Sequence, residues 1–171
     1  MKPQRTKLLE NLRSALDSLE PNGAITPIFL GRITEELGGS WTAYWQVDEA
    51  ADILRFIQDW HSPEFDSEKL EDHIVKRTFS AGEGMPGIVW RTKKAKWSRD
   101  IIKDMMLPRS LKALNAGLET GIWIPVINNT EVIGVIEILG RQNELLTNGL
   151  ADTLQAFGEE VGKAIGIERQ N

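Results

Sequence analysis

Two apolar runs separated by a short polar break, in GLETGIWIPVINNTEVIGVIEILG from Gly117 to Gly140, place the tightest limit on what this chain can fold into. Ile122 to Ile127 and Val132 to Leu139 are rich in Ile and Val and carry hardly any polar residue, the pattern of strands covered on both faces. Asn128, Asn129 and Thr130 between them supply a turn, because Asn tolerates the positive φ that a tight hairpin demands. The segment reads as a buried β-hairpin on which everything else packs. Pro125 brings no ladder N–H, so one side of its strand is expected to be bulged or unpaired there, with Gly134 opposite the irregularity. Glu137 sets a carboxylate in an apolar strand, where burial without a partner is costly. It must therefore face a polar cavity, or pair with an Arg or a backbone N–H.

Such a hairpin needs a single core around it. A chain of 171 residues, 41% hydrophobic and 26% charged, matches one ordinary globular domain spanning residues 1–171. No apolar run approaches the ~18 residues of a membrane span, so no membrane partner is expected. The opening MKPQRTKLLENLRSAL passes directly into an amphipathic pattern without a secretory signal, and a cytoplasmic location is the expectation. There is no cysteine, which removes disulfides, thiolate metal sites, cysteine nucleophiles and thioether-linked cofactors. A net charge of −5 leaves no positive footprint for nucleic acid, and the Lys93, Lys94, Lys96 cluster reads as a solvated turn.

Along the chain, Leu8, Leu12, Leu16 and Leu19 repeat at helical spacing until Glu20 to Gly23 end the pattern. Thr26-Pro27 then starts a second helix, with Ile28 or Phe29, Ile33 and Leu37 on its buried stripe and Gly38-Gly39 closing it. Trp41 to Val47 and Ile53 to Trp60 read as neighbouring antiparallel strands. A weak helical spacing through Leu70, Ile74 and Arg77 or Thr78 follows. Pro86 opens a short helix carrying Ile88, Val89 and Trp90, and Lys96 to Ser98 reads as a short strand. Pro108 and Gly117 bracket another helix, with Leu111 and Leu114 on one face. Leu146, Leu150, Leu154, Phe157, Val161 and Ile165 form the stripe of a long last helix. Gly158, Gly162 and Gly166 on that helix each cost up to ~1 kcal/mol relative to Ala, so something approaches this face closely. Either the domain's own sheet does, or a second copy does in a parallel homodimer through the terminal helices.

GEGMPGIVW, the Trp97-Ser98-Arg99-Asp100-Ile101 after it, then GLETGIWIPV and EVIGVIEIL resemble in order and spacing the later half of a bacterial GAF domain. The resemblance covers most of the chain and is strongest from Phe79 to Gly140. It implies an α+β fold: a central antiparallel sheet with the terminal helices on one face and, on the other, short helices and loops from residues 61 to 116 roofing a small-molecule pocket. The implied function is a small-molecule-sensing regulatory domain of a signal-transduction protein, without catalysis of its own. The alternative is a ligand-free GAF domain serving as a dimerisation or protein-interaction scaffold.

Departures from the family's subclasses narrow this. Bilin-binding members attach the chromophore through a cysteine, and members that reduce free methionine sulfoxide use cysteine thiols; this chain has neither option. The Asn-Lys-Phe-Asp-Glu motif of cyclic-nucleotide-binding members is replaced by Gly140, Arg141, Gln142, Asn143, Glu144. His61 and His73 have no partner at metal-ligand spacing. No Gly-x-Ser-x-Gly elbow or Gly-Lys-Ser/Thr phosphate loop points to an enzyme. With six tryptophans available, the resemblance suggests Trp90, Trp97 and Trp123 as the apolar walls of a pocket and Arg99, Asp100 and Glu137 as its polar anchors. The expected partner is an unidentified flat or aromatic ligand held non-covalently, and alanine at Trp123 or Glu137 should weaken its binding without unfolding the protein.

Overall fold

The computed structural model describes residues 3–66, 77–105, 109–141 and 150–169. In order these form α1 (Pro3–Ser14) running into a 3-10 turn (Ala15–Ser18), α2 (Pro27–Leu37), β1 (Trp41–Asp48), β2 (Ile53–His61), β3 (Thr78–Phe79), α3 (Gly84–Thr92), β4 (Lys96–Ser98), α4 (Ile101–Asp104), α5 (Arg109–Asn115), β5 (Thr120–Asn128), β6 (Glu131–Gly140) and α6 (Ala151–Arg169). The strands make one antiparallel sheet in the order β3-β2-β1-β6-β5-β4. The β5–β6 hairpin is therefore internal to the sheet and apolar on both sides, as its sequence requires.

Two apolar layers cover the sheet. Tyr44, Ile122, Ile124, Val126, Ile136 and Ile138 meet α1, α2 and α6 on one face. Trp41, Ala43, Trp45, Trp123, Val135 and Leu139 meet Met85 and Val89 of α3, Ile101 of α4 and Ala113 of α5 on the other. The fold is α+β, with terminal helices on one side and the roofing segment on the other. Local signals act where they were read. Thr26 accepts a hydrogen bond from the Phe29 amide at 3.0 Å ahead of Pro27, and Gly38 closes α2 at φ 81°. Phe29, Ile33 and Leu37 are buried, whereas Ile28 is 68% exposed.

Two expectations change and a third is met in one of its two forms. Thr78 pairs as strand β3 with Arg55, so the helical spacing proposed across it ends before this residue; the rest of that pattern, at Leu70 and Ile74, lies outside the described residues, as do Pro108 and Leu146. In α5 Ala113 is buried and Leu114 is 38% exposed, while the side chain of Leu111 lies outside the described residues. Of the two outcomes expected at Pro125, the unpaired side holds, since the β4 ladder stops at Trp123, whereas the bulge falls one step later, where Val126 faces Gly134 and Ile127 faces Val132, leaving Ile133 as the extra residue. Gly134 is needed for a different reason, since a Cβ there would strike the hydroxyl and ring of Tyr44. Pro125 itself lies past the end of the β4 ladder, which stops at Trp123. In an extended residue the N–H and C=O point to the same side, and the Pro125 carbonyl meets α6 there, so no ladder partner needs the missing amide.

The hairpin turn carries strain. Asn129 and Thr130 have φ of 51° and 68°, the paired positive values of a type I′ turn. Asn accepts this conformation readily, but a β-branched residue resists it. Thr130→Gly or Thr130→Asn should therefore raise stability by about 1 kcal/mol, read as a higher urea midpoint at unchanged slope. The bond from Lys93 Nζ to the Thr130 carbonyl, 3.0 Å, uses only the backbone of residue 130 and survives the change.

Candidate functional site

Strand register decides which side chains share the roofed face. Trp123 on β5 stands opposite Glu137 on β6, Glu137 opposite Ala43 on β1, and Ala43 opposite Asp59 on β2. Cross-strand partners point to one side of the sheet, so this row runs under α3, α4 and α5, with Lys96 of β4 at its far end opposite Trp123. Ala43, the smallest side chain of the row, leaves the Glu137 carboxylate room between larger neighbours.

Glu137 is 0% exposed, and its two oxygens are held separately. Oε2 accepts from Trp123 Nε1 at 2.6 Å and Oε1 from Trp45 Nε1 at 3.3 Å. Trp45 reaches Glu137 diagonally, from two residues along β1, and is fixed edge-on against Phe79 and Phe56 at centroid distances of 4.9 and 5.8 Å. The indoles of Trp123 and Trp45 thus both donate to the Glu137 carboxylate, a source of partners that the sequence did not indicate. An indole N–H is donor-only and usually finds an acceptor when buried, and here one carboxylate serves two of them. A third indole differs. Trp41, 1% exposed on the same face, has its Nε1 buried without a hydrogen-bond partner among the described residues.

The six residues expected at a pocket fall into separate groups. Trp123 and Glu137 are joined directly. Trp90 is half-buried on α3 and packs against the same apolar layer. Trp97 pairs with Ile122, whose side chain faces the terminal helices, so strict alternation along β4 turns Trp97 away from Trp123 and leaves it 40% exposed. Its placement as a wall beside Trp123 is corrected by that alternation. The Arg99 guanidinium lies over the Trp97 ring, 5.4 Å from its centroid. Asp100 is exposed and caps α4, accepting from the Lys103 amide at 3.3 Å, while Ser98 Oγ accepts from the Asp100 amide at 3.0 Å. Arg99 and Asp100 are thus engaged at the surface beside β4.

Asp59 and Lys96 join the row, and Trp41 and Trp45 flank it on the same face, without having been proposed for a pocket. Only the register brings them there, and a sequence of strands without register gives no sign of it. Because Trp123 and Glu137 are both wholly buried, alanine at either position also removes core packing; the earlier expectation of binding loss without unfolding does not suit these sites. Among the described residues, no group of three or more His, Asp or Glu side chains is placed to hold a metal ion, and no helix is long and apolar enough to cross a membrane.

A family model described as GAF domain matches residues 24–166. The GAF domain of an Acinetobacter phosphoenolpyruvate-protein phosphotransferase is similar at 12% identity and a TM-score of 0.72, over 99% of this chain and 98% of that one. The corresponding domain from Coxiella burnetii is similar at 13% identity and 0.72, over 97% and 95%. A free methionine-R-sulfoxide reductase from Neisseria meningitidis, solved with its substrate, is similar at 16% identity and 0.70, over 99% and 95%. Likenesses at these identities are likenesses of fold. No curated protein matches this sequence.

Proposed function

The chain belongs to the GAF domain family, and we propose that within it this domain is a small-molecule sensor, regulatory and without catalysis of its own, serving a larger signal-transduction protein. The observation that carries this reading is the Glu137 carboxylate bonded to Trp123 and Trp45, with Trp41 offering a further N–H, on the sheet face covered by short helices and loops. Loops on a rigid sheet are where binding groups concentrate, and small-molecule sites combine apolar walls with few polar groups. Indole rings favour a flat or aromatic ligand, and the unpaired Trp41 N–H favours one that carries a hydrogen-bond acceptor. Trp90 and Trp123 are the proposed walls and Glu137 the proposed anchor, with Arg99 and Asp100 at the neighbouring surface. The reductase likeness does not extend to thiol chemistry, because this chain has no cysteine.

The proposed mechanism is a shift between two domain states that a ligand binds unequally, with the terminal helices reporting the shift to an attached output. Pairing of two copies through those helices is part of the proposal. It would engage the polar outer faces of α1 and α6, since Leu8, Leu12, Leu154, Phe157 and Val161 are buried in the domain itself.

The test is a titration of nucleotides, aromatic heterocycles and tetrapyrroles, read by Trp emission and by melting temperature. At least one compound is expected to quench emission and, at about 100 times its Kd, to raise the melting temperature by roughly 5–10 °C. Glu137→Gln should reduce that response while keeping the side chain's shape. The same buried indoles also suit a second reading, in which side chains alone fill this face and the domain is a scaffold. A panel in which every compound leaves both readouts unchanged would favour the scaffold.

A further inference from the structure

The chain passes from the roofed face to the helix-covered face through the turn between α3 and β4, and one residue of α6 holds that turn. Gln155 Oε1 accepts from the Ala95 amide at 2.8 Å, and Gln155 Nε2 donates to the Lys93 carbonyl at 2.7 Å. A primary amide bonded to a backbone N–H and a backbone C=O reproduces the pairing a neighbouring strand would offer, so both position and orientation of the turn are fixed. Lys93 is also the left-handed C-cap of α3, at φ 61°, with its amide bonded to the Val89 carbonyl at 2.9 Å. Its Nζ reaches the Thr130 carbonyl at 3.0 Å in the β5–β6 turn. On one side of this knot, Met85 and Val89 of α3 belong to the roofed apolar layer; on the other, Ala95 packs against the layer beneath the terminal helices.

We propose that Gln155 is the positioning residue that couples α3, and with it the roofed face, to the C-terminal helix α6. A displacement of α3 must either carry the Gln155 turn of α6 with it or break both amide bonds, and neither backbone partner has another strand to turn to at that position, since the β4 ladder begins only at Lys96. Two discrete arrangements of one packed connection are what allows a local change to be felt elsewhere. What the coupling is used for rests on the sensing reading above; that it exists does not.

The experiment is native-state amide exchange on the whole chain, without ligand. Val89→Ala loosens α3 from the roofed side, and exchange is read in α6 around Gln155 to Glu159 and normalised to Ile136 in β6, which reports global opening. In the wild-type background, Val89→Ala should speed normalised exchange of these α6 amides several-fold. In Gln155→Leu the acceleration should stay within α3. Should Gln155→Leu fail to fold, Gln155→Glu serves, because it keeps an acceptor for Ala95 and loses the donor to Lys93. Acceleration reaching α6 equally with and without the Gln155 amide overturns the proposal, as does acceleration confined to α3 in both backgrounds. A merely structural role for Gln155 would speed exchange at Ala95 but leave the response of α6 to Val89→Ala unchanged. Because no ligand takes part, failure here leaves the sensing proposal standing, and a ligand panel without a hit leaves the coupling standing.

Discussion

Gly162→Ala is expected to destabilise the domain severely, and Gly162→Leu to abolish its cooperative unfolding transition. Helix propensity alone predicts the opposite sign for Ala, a gain of about 1 kcal/mol inside a helix. Packing decides against it. A Cβ at Gly162 would overlap the Ile127 backbone carbonyl, and those at Gly158 and Gly166 would overlap the Pro125 carbonyl and the Asn128 side chain. The match is metric: four residues of helix advance about 6 Å, and two residues of strand advance about 6.6 Å, so Gly158 and Gly162 track alternate carbonyls of β5. Backbone cannot turn aside as a side chain can. The added atom must lift α6 from β5, and the burial of Leu154, Phe157 and Val161 is then at stake, each worth about 1.5–3 kcal/mol. A loss of at least ~4 kcal/mol for Ala would take much of the stability of a typical domain. Thermal and urea unfolding followed by circular dichroism measure it. A Gly162→Ala protein as stable as wild type would mean that the helix does not lie against β5 in solution, and a folded but monomeric Gly162→Leu would return the glycines to a dimer interface.

Those glycines show where a sequence stops being informative. Their cost and spacing announce a close approach, but the neighbour, the carbonyls of Pro125 and Ile127, depends on how α6 lies on the sheet. Caps and turns were legible because each is local: Thr26, Pro27, Gly38 and Gly117 act within a few residues of themselves. The hairpin was legible because its strands are apolar on both faces. That same continuity erased the alternation that would have told Trp123 from Ile122, and with it the side to which Trp97 turns. Glu137 stood out as a carboxylate in an apolar run, whereas its partners come from 14 and 92 residues away in the chain. Gln155 offered no signal, since a lone Gln on a helix is ordinary until the turn it holds is known.

The Glu137 carboxylate supports the second large effect. Glu137→Ala leaves the N–H groups of Trp123 and Trp45 without this acceptor inside the core, at roughly 1–3 kcal/mol each, and adds a cavity where the side chain stood. The expected loss is about 3–5 kcal/mol, read from urea midpoints at constant slope. Glu137→Gln should lose less, because its carbonyl still accepts from one indole while its amide turns a donor toward the other. Adding Trp123→Phe to Glu137→Ala removes one orphaned donor, so the double variant should lose less than the sum of the two single ones. The size of the loss also bears on function. If Glu137→Ala costs below about 1 kcal/mol, water reaches the freed indoles, and the roofed face is open enough to be hydrated. The full loss, together with a ligand response that survives in Glu137→Gln, would assign the carboxylate to holding the indole walls in place and move recognition to Trp41 and its unshared N–H.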